Sequence, residues 1–217
     1  MKPLAEARLQ PDSTAASAGR ICPADYRYRP EDFARPADIA TEALYVVGGL
    51  YGNLAALAAI ERLAAAEPAK PTLVFNGDFH WFDADADWFG AIEHAVRRHL
   101  ALRGNVETEI ARHGDIGAGC GCAYPERVDD ATVQRSNAIL RELRDVTGAA
   151  ERARLSALPM HLVAQVGRLR IAVVHGDACA LAGWRFAREY LDDPAQRPWL
   201  TAVRAAARVD VFASTHT

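Results

Sequence analysis

Residues 72–83 read TLVFNGDFHWFD, and this stretch decides the fold class. Thr72–Phe75 is a short apolar run rich in strand formers, and Asn76-Gly77-Asp78 breaks it with a polar turn. The same grammar precedes it at 44–53, LYVVGGLYGN, where Leu44–Val47 is a strand and Gly48-Gly49 ends it. Between the two, Asn53 caps a helix in which Leu54, Leu57, Ile60 and Leu63 recur at helical spacing until Pro68 and Pro71 stop it. Downstream, Asp87–His99 is a helix with Trp88, Ile92, Ala95 and Val96 on one side, and Leu100–Arg103 is a third strand ending at Gly104. Asp130–Val146 is an amphipathic helix with Val133, Ile139, Leu140 and Leu143 inward. His161–Val166 and Leu169–Val174 flank Gly167-Arg168, a hairpin signal. Trp184–Leu191 and Trp199–Ala207 read as helices, and Val209–Ala213 as a last strand. Early strands alternating with helices, then a hairpin, predict an α/β protein with a mixed sheet covered by helices.

The chain has 217 residues, half of them hydrophobic, enough for a sizeable core and too apolar for a disordered chain. Its 25 basic and 28 acidic residues give a net charge of −3, so no whole-chain attraction to nucleic acid or anionic lipid is expected. No apolar run approaches the roughly 20 residues of a membrane span, and residues 1–20 lack the apolar centre of a secretory signal. These features predict a cytoplasmic protein. Residues 1–37 read as an N-terminal arm and strap, with Tyr26, Tyr28 and Phe33 as aromatic anchors between prolines, and residues 38–217 as the main domain. An end at Thr217, directly after a strand, suggests that the domain continues beyond it. Four cysteines are too few for a disulfide scaffold. Cys120-Gly121-Cys122 is either a weak thiolate clip, a redox pair or a contact loop.

Polar residues collect where the predicted strands end. GGLYGN (48–53), NGDFHWFD (76–83), RGNVETE (103–109), VHGD (174–177) and ASTHT (213–217) each follow a strand, and in open α/β sheets ligands bind at that edge. In order, the series resembles the calcineurin-like metallophosphoesterases, whose pattern is D-x-H, G-D-x-x-D, G-N-H-[DE], a histidine after a strand, and G-H-x-H. The likeness runs from about residue 44 to residue 216. It implies a four-layer α-β-β-α sandwich of two mixed sheets, and hydrolysis of a phosphate monoester or diester of a small substrate. Such enzymes hold two divalent ions about 3.5–4 Å apart. By the resemblance, Asp78 is the bridging carboxylate, Asn105 and His175 are ligands of the second metal, and His216 belongs to the first.

The departures reshape that expectation. Gly49-Leu50-Tyr51 stands where D-x-H would supply two ligands, Val106 replaces the histidine near the leaving group, and Ser214 replaces the first histidine of G-H-x-H. Trp81 takes the place of the second aspartate of G-D-x-x-D, with Asp83 two residues on. A single ion per chain (Mn, Zn, Fe or Mg) is therefore expected on Asp78, Asn105, His175 and His216. His80 is the candidate replacement acid. Asn53, a helix cap facing the same edge, is the candidate phosphate contact. Tyr51 is read as filling the space of the lost ligands, Glu107 as a structural hydrogen-bonding group, and Asp177 as either a partner of His175 or a cap. The alternative function is a non-catalytic descendant that binds a phosphorylated ligand or a protein.

Overall fold

The computed structural model describes residues 18–114 and 116–217. Residues 1–17 of the arm expected at the N-terminus lie outside the described residues. The protein is a mixed α/β fold with two sheets. Strands β2 (Leu44–Val47), β3 (Thr72–Asn76) and β4 (Leu100–Leu102) form one sheet, in that order and all parallel. Helix α1 (Leu54–Ala66) connects β2 to β3, and α2 (Ala86–Val96) connects β3 to β4. Two successive crossovers progressing in one direction put both helices on one face of the sheet. The mixed sheet predicted from the sequence holds for the other one only. There β1 (Ile39–Thr41), β5 (His161–Val166), β6 (Leu169–Val174) and β7 (Val211–Ala213) lie side by side, with only the β5–β6 hairpin antiparallel.

Strand alternation explains how the sheets meet. On β3, Val74 joins Leu102, Leu162, Ala164 and Val173 in a buried cluster fed by both sheets. Phe75 points the other way, among Leu57, Phe89, Ile92, Val96, Ile110, Leu140 and Leu143 from the helices. Each such side chain contributes about 1.5–3 kcal/mol when fully buried. The far side of the four-stranded sheet is covered by Tyr26, Tyr28 and Phe33, which pack with Val163, Ala172, Val174 and Leu181. The aromatic anchors of the strap are thus buried, Tyr26 and Phe33 completely.

Most predicted elements recur with ends shifted by a few residues, and α4 (Asp130–Val146) and the hairpin keep their predicted bounds. The helix expected over Trp184–Leu191 shrinks to α6 (Arg188–Leu191), because residues 177–187 instead form a tight loop around Asp177. The Asp177 carboxylate accepts from the backbone N–H groups of Cys179, Ala180 and Arg185, so it caps that loop. Among the described strands and α-helices, three were not foreseen: β1, α3 (Asn105–Ala111) and α5 (Ala149–Ala157). A final helix, α7 (Arg197–Ala207), precedes β7. No helix among the described residues is long and apolar enough to cross a membrane.

Candidate metal centre

The loops after β3, β4, β6 and β7 meet at the C-terminal ends of the strands. Thr215 bridges them: its hydroxyl donates to the Asn76 carbonyl and accepts from the Asn76 side-chain amide, while its N–H and that of His216 donate to the His175 carbonyl. Asp78 sits at the tip of β3 in left-handed backbone, φ 53°, a conformation rare for a non-glycine residue and frequent at functional sites. Gly77 before it has φ 78°, and a Cβ there would lie 2.4 Å from the Gly104 backbone nitrogen. Only glycine lets the β3 and β4 tips approach this closely.

Glu107, on the first turn of α3, holds that tip in place. Its completely buried carboxylate accepts from the backbone N–H groups of Gly104 (2.8 Å), Asp78 (2.8 Å), Phe79 (3.0 Å) and His80 (3.3 Å). Burial and the neighbouring Asp78 charge push its pKa up, while the surrounding donors pull against them.

Four polar side chains then converge. His175 Nε2 lies 3.3 Å from Asp78 Oδ2, 3.1 Å from Asn105 Oδ1 and 3.1 Å from His216 Nδ1. His175, His216 and Asn105 each have their other polar atom tied to a backbone carbonyl, which can only accept. His175 Nδ1 faces Asn76 O at 2.8 Å, His216 Nε2 faces Cys122 O at 3.2 Å, and Asn105 Nδ2 donates to Cys120 O at 3.0 Å. The hydrogens are therefore on the outer atoms. In the neutral rings the lone pairs of His175 Nε2 and His216 Nδ1 point inward with Asn105 Oδ1 and a carboxylate oxygen. Such a set repels itself unless a proton or a cation sits among it.

The titration behaviour follows. Burial disfavours charge on both Asp78 and His175, yet their mutual attraction outweighs it, lowering the carboxyl pKa and raising the imidazole pKa. Burial and the adjacent His175 drive His216 down to about 4, so it is neutral at pH 7 and ready as a ligand. Asp78, His175 and His216 present ligand atoms all within 4.8 Å of one another and could hold a metal ion. Ligand atoms 2.0–2.1 Å from a tetrahedral ion are about 3.3–3.4 Å apart, close to the spacings measured from His175 Nε2. Asn105 completes a four-member set.

The family pattern divides these residues between two ion positions, while the structure brings the polar atoms of all four together. His80 lies elsewhere. Its ring is completely buried, with Nδ1 2.6 Å from Asp83, Nε2 2.9 Å from Glu93 and its face stacked on Phe89 at 3.8 Å. Arg154 closes that network on Glu93. Burial works against a charged His80, but the two carboxylates more than offset it and raise its pKa. With both nitrogens engaged away from the cluster, the acid role expected of His80 has no geometric support, and Asp83 is likewise spent there. Asn53 spends its side-chain oxygen on the Ala56 N–H as a helix cap and does not line the cavity over the cluster. Ser214 donates to the Gly176 carbonyl and is no ligand. The Tyr51 ring lies against Gly49, where a Cβ would meet it at 2.8 Å. Cys120 and Cys122 are disulfide-bonded to each other, Cα atoms 5.4 Å apart, and serve the site through their carbonyls.

A cavity of about 190 Å³ opens over the cluster, lined by Asp78, Asn105, Val106, Cys122, Ser136 and His216 together with five aromatic residues. A larger hollow, about 830 Å³, lies at the opposite end of the three-stranded sheet beside Thr72, His99 and Leu100. Its charged lining includes Glu61, which pairs with Arg98 and His99. The smaller cavity is the chemically equipped one.

Fold and site together define a mixed α/β protein in which a buried aspartate, asparagine and histidine meet a half-buried histidine at the strand tips. No family model matches the chain, and neither does any curated protein. In the solved structures, the fold is similar to that of the hypothetical protein PH1004 from Pyrococcus horikoshii OT3, with a TM-score of 0.51 and 20% identity over 81% of this chain and 68% of that one.

Proposed function

We propose that the protein is a divergent metallophosphoesterase-like hydrolase, built as the four-layer α-β-β-α sandwich of that family, with one divalent ion in place of two. The observation that carries this reading is the inward set of Asp78, Asn105, His175 and His216, three of them locked by backbone carbonyls. The face-to-face clusters of the two sheets support the sandwich. Two imidazoles among the ligands favour zinc, iron or manganese over magnesium. An ion held there would supply Lewis-acid polarisation of a phosphoryl oxygen.

The chain's own residues do the rest. Asp78 brings negative charge that offsets the cation, and Glu107 fixes the tip that carries it. Asn105 and His216 are oriented by the Cys120–Cys122 loop. Val106, 1% exposed, lines the cavity and offers no proton. Positioned proton transfer contributes about 10²–10⁴-fold, so esters whose leaving groups need protonation should be hydrolysed poorly. Purified protein supplied with manganese or zinc is expected to hydrolyse 4-nitrophenyl phosphate slowly, to lose that activity to a chelator, and to act at least about 100-fold more slowly on an alkyl phosphate. Hydrolysis that chelator leaves untouched would refute the assignment.

A further inference from the structure

The cavity over the cluster has walls unlike those of a site for a highly charged ligand. Tyr51, Trp81, Phe82, Tyr124 and Trp184 surround it, and no lysine or arginine is among its lining residues. The inner walls are held in place: the Trp184 indole N–H donates to the Cys122 carbonyl at 2.9 Å, the Tyr124 hydroxyl bonds Ser136 at 3.0 Å, and Trp184 packs edge-on against His216 at 5.2 Å. Arg127 stacks on Trp184 at 5.1 Å but is paired with Glu189. Phe82 and Tyr51, 61% and 41% exposed, form the rim.

Size narrows the occupant. An apolar cavity of about 150 Å³ takes one benzene ring, and sites for larger organic ligands run from about 300 Å³ upward. About 190 Å³ therefore matches one six-membered ring and a few more atoms better than a base with its ribose. Charge narrows it further, since a chain of phosphates would meet Asp78 with no basic side chain to receive it.

We infer that this cavity binds the ring of a small monocyclic aryl phosphate, with its phosphoryl group against Asp78, Asn105, His175 and His216. The inference rests on the phosphoesterase reading and supplies its substrate class. The chemistry agrees. Water forms the new P–O bond, giving its proton to solvent, as the P–O bond to the aryl oxygen breaks. The aryl oxide leaves with the electron pair. Phenols of the tyrosine type ionise near pH 10, so their oxide departs without the donor that Val106 cannot be.

The test uses non-hydrolysable probes and so does not depend on turnover. With zinc-loaded protein, calorimetry is expected to find phenylphosphonate bound at least about tenfold more tightly than methylphosphonate, and the bicyclic 1-naphthylphosphonate bound more weakly than phenylphosphonate. Phe82→Ala, at an exposed position that folding should tolerate, should cut the phenyl-over-methyl preference by about three- to tenfold, and Phe82→Tyr should restore it. Equal affinity for the phenyl and methyl probes, or a preference that Phe82→Ala leaves intact, would overturn the ring site. A clear phenyl preference without any ester hydrolysis would instead leave the ring site standing and remove the hydrolase reading.

Discussion

Asp78→Asn is expected to reduce chelator-sensitive hydrolysis of 4-nitrophenyl phosphate to the background rate. The substitution keeps the shape of the strand tip but removes the anionic ligand, and it takes from His175 the carboxylate that lies 3.3 Å away. The new amide can turn an N–H toward His175 Nε2 and occupy the lone pair that a cation would use. Weakening even the outer partners of metal ligands costs about 10–100-fold in affinity, and a lost ligand should cost more. Forfeiting Lewis-acid stabilisation worth several kcal/mol lowers the rate by about 10³-fold or more. Stopped assays on wild type and variant, both in zinc- or manganese-supplemented buffer, decide the matter. Equal rates would remove the enzyme reading and favour a protein that only binds phosphorylated ligands.

Glu107→Ala should bring the largest change in stability. Glu107 is completely buried and accepts from four backbone N–H groups, those of Asp78, Phe79, His80 and Gly104. Each buried donor left without a partner costs about 1–3 kcal/mol. Even with water partly replacing the carboxylate, the loss should be about 3–6 kcal/mol, a large fraction of the 5–15 kcal/mol typical of a folded domain. Glu107→Gln keeps one accepting oxygen and should lose less, so it remains measurable if the alanine variant does not fold. Urea unfolding followed by circular dichroism reads both. A Glu107→Ala protein within about 1 kcal/mol of wild type would mean that the tip of β3 is held by something else.

How much of this was legible in the sequence depended on the range of the signal. Strands β2, β3, β5 and β6 and helices α1 and α4 stood out because apolar period, caps and turn residues agree locally. Strand β1 is three residues, Ile-Ala-Thr, paired only through β5, and nothing so short carries a period. The Asn105–Ala111 helix was hidden because Gly104-Asn105 reads as a turn, and local capping contacts of Glu107 and Thr108 with Gly104 decide otherwise. The four ligands were each visible as polar residues after a strand. That they could share one point followed from their common place after strands, whereas the contacts that set the spacing did not, because His216 reaches His175 through the pairing of β6 with β7. His80 misled because spacing from Asp78 says nothing about direction: its ring turns inward to Asp83 and Glu93. The carbonyls of Asn76, Cys120 and Cys122 that orient the ligands carry no side-chain signature at all.

In the proposed site, Asp78, Asn105, His175 and His216 together hold one divalent ion. Titration calorimetry of chelator-stripped protein with zinc or manganese, run beside His175→Ala and His216→Ala, tests it most directly. One tight ion per chain is expected in the wild type, with affinity lowered by at least about 100-fold in either variant. Two tight ions per chain, no tight ion, or one that survives both substitutions would contradict it.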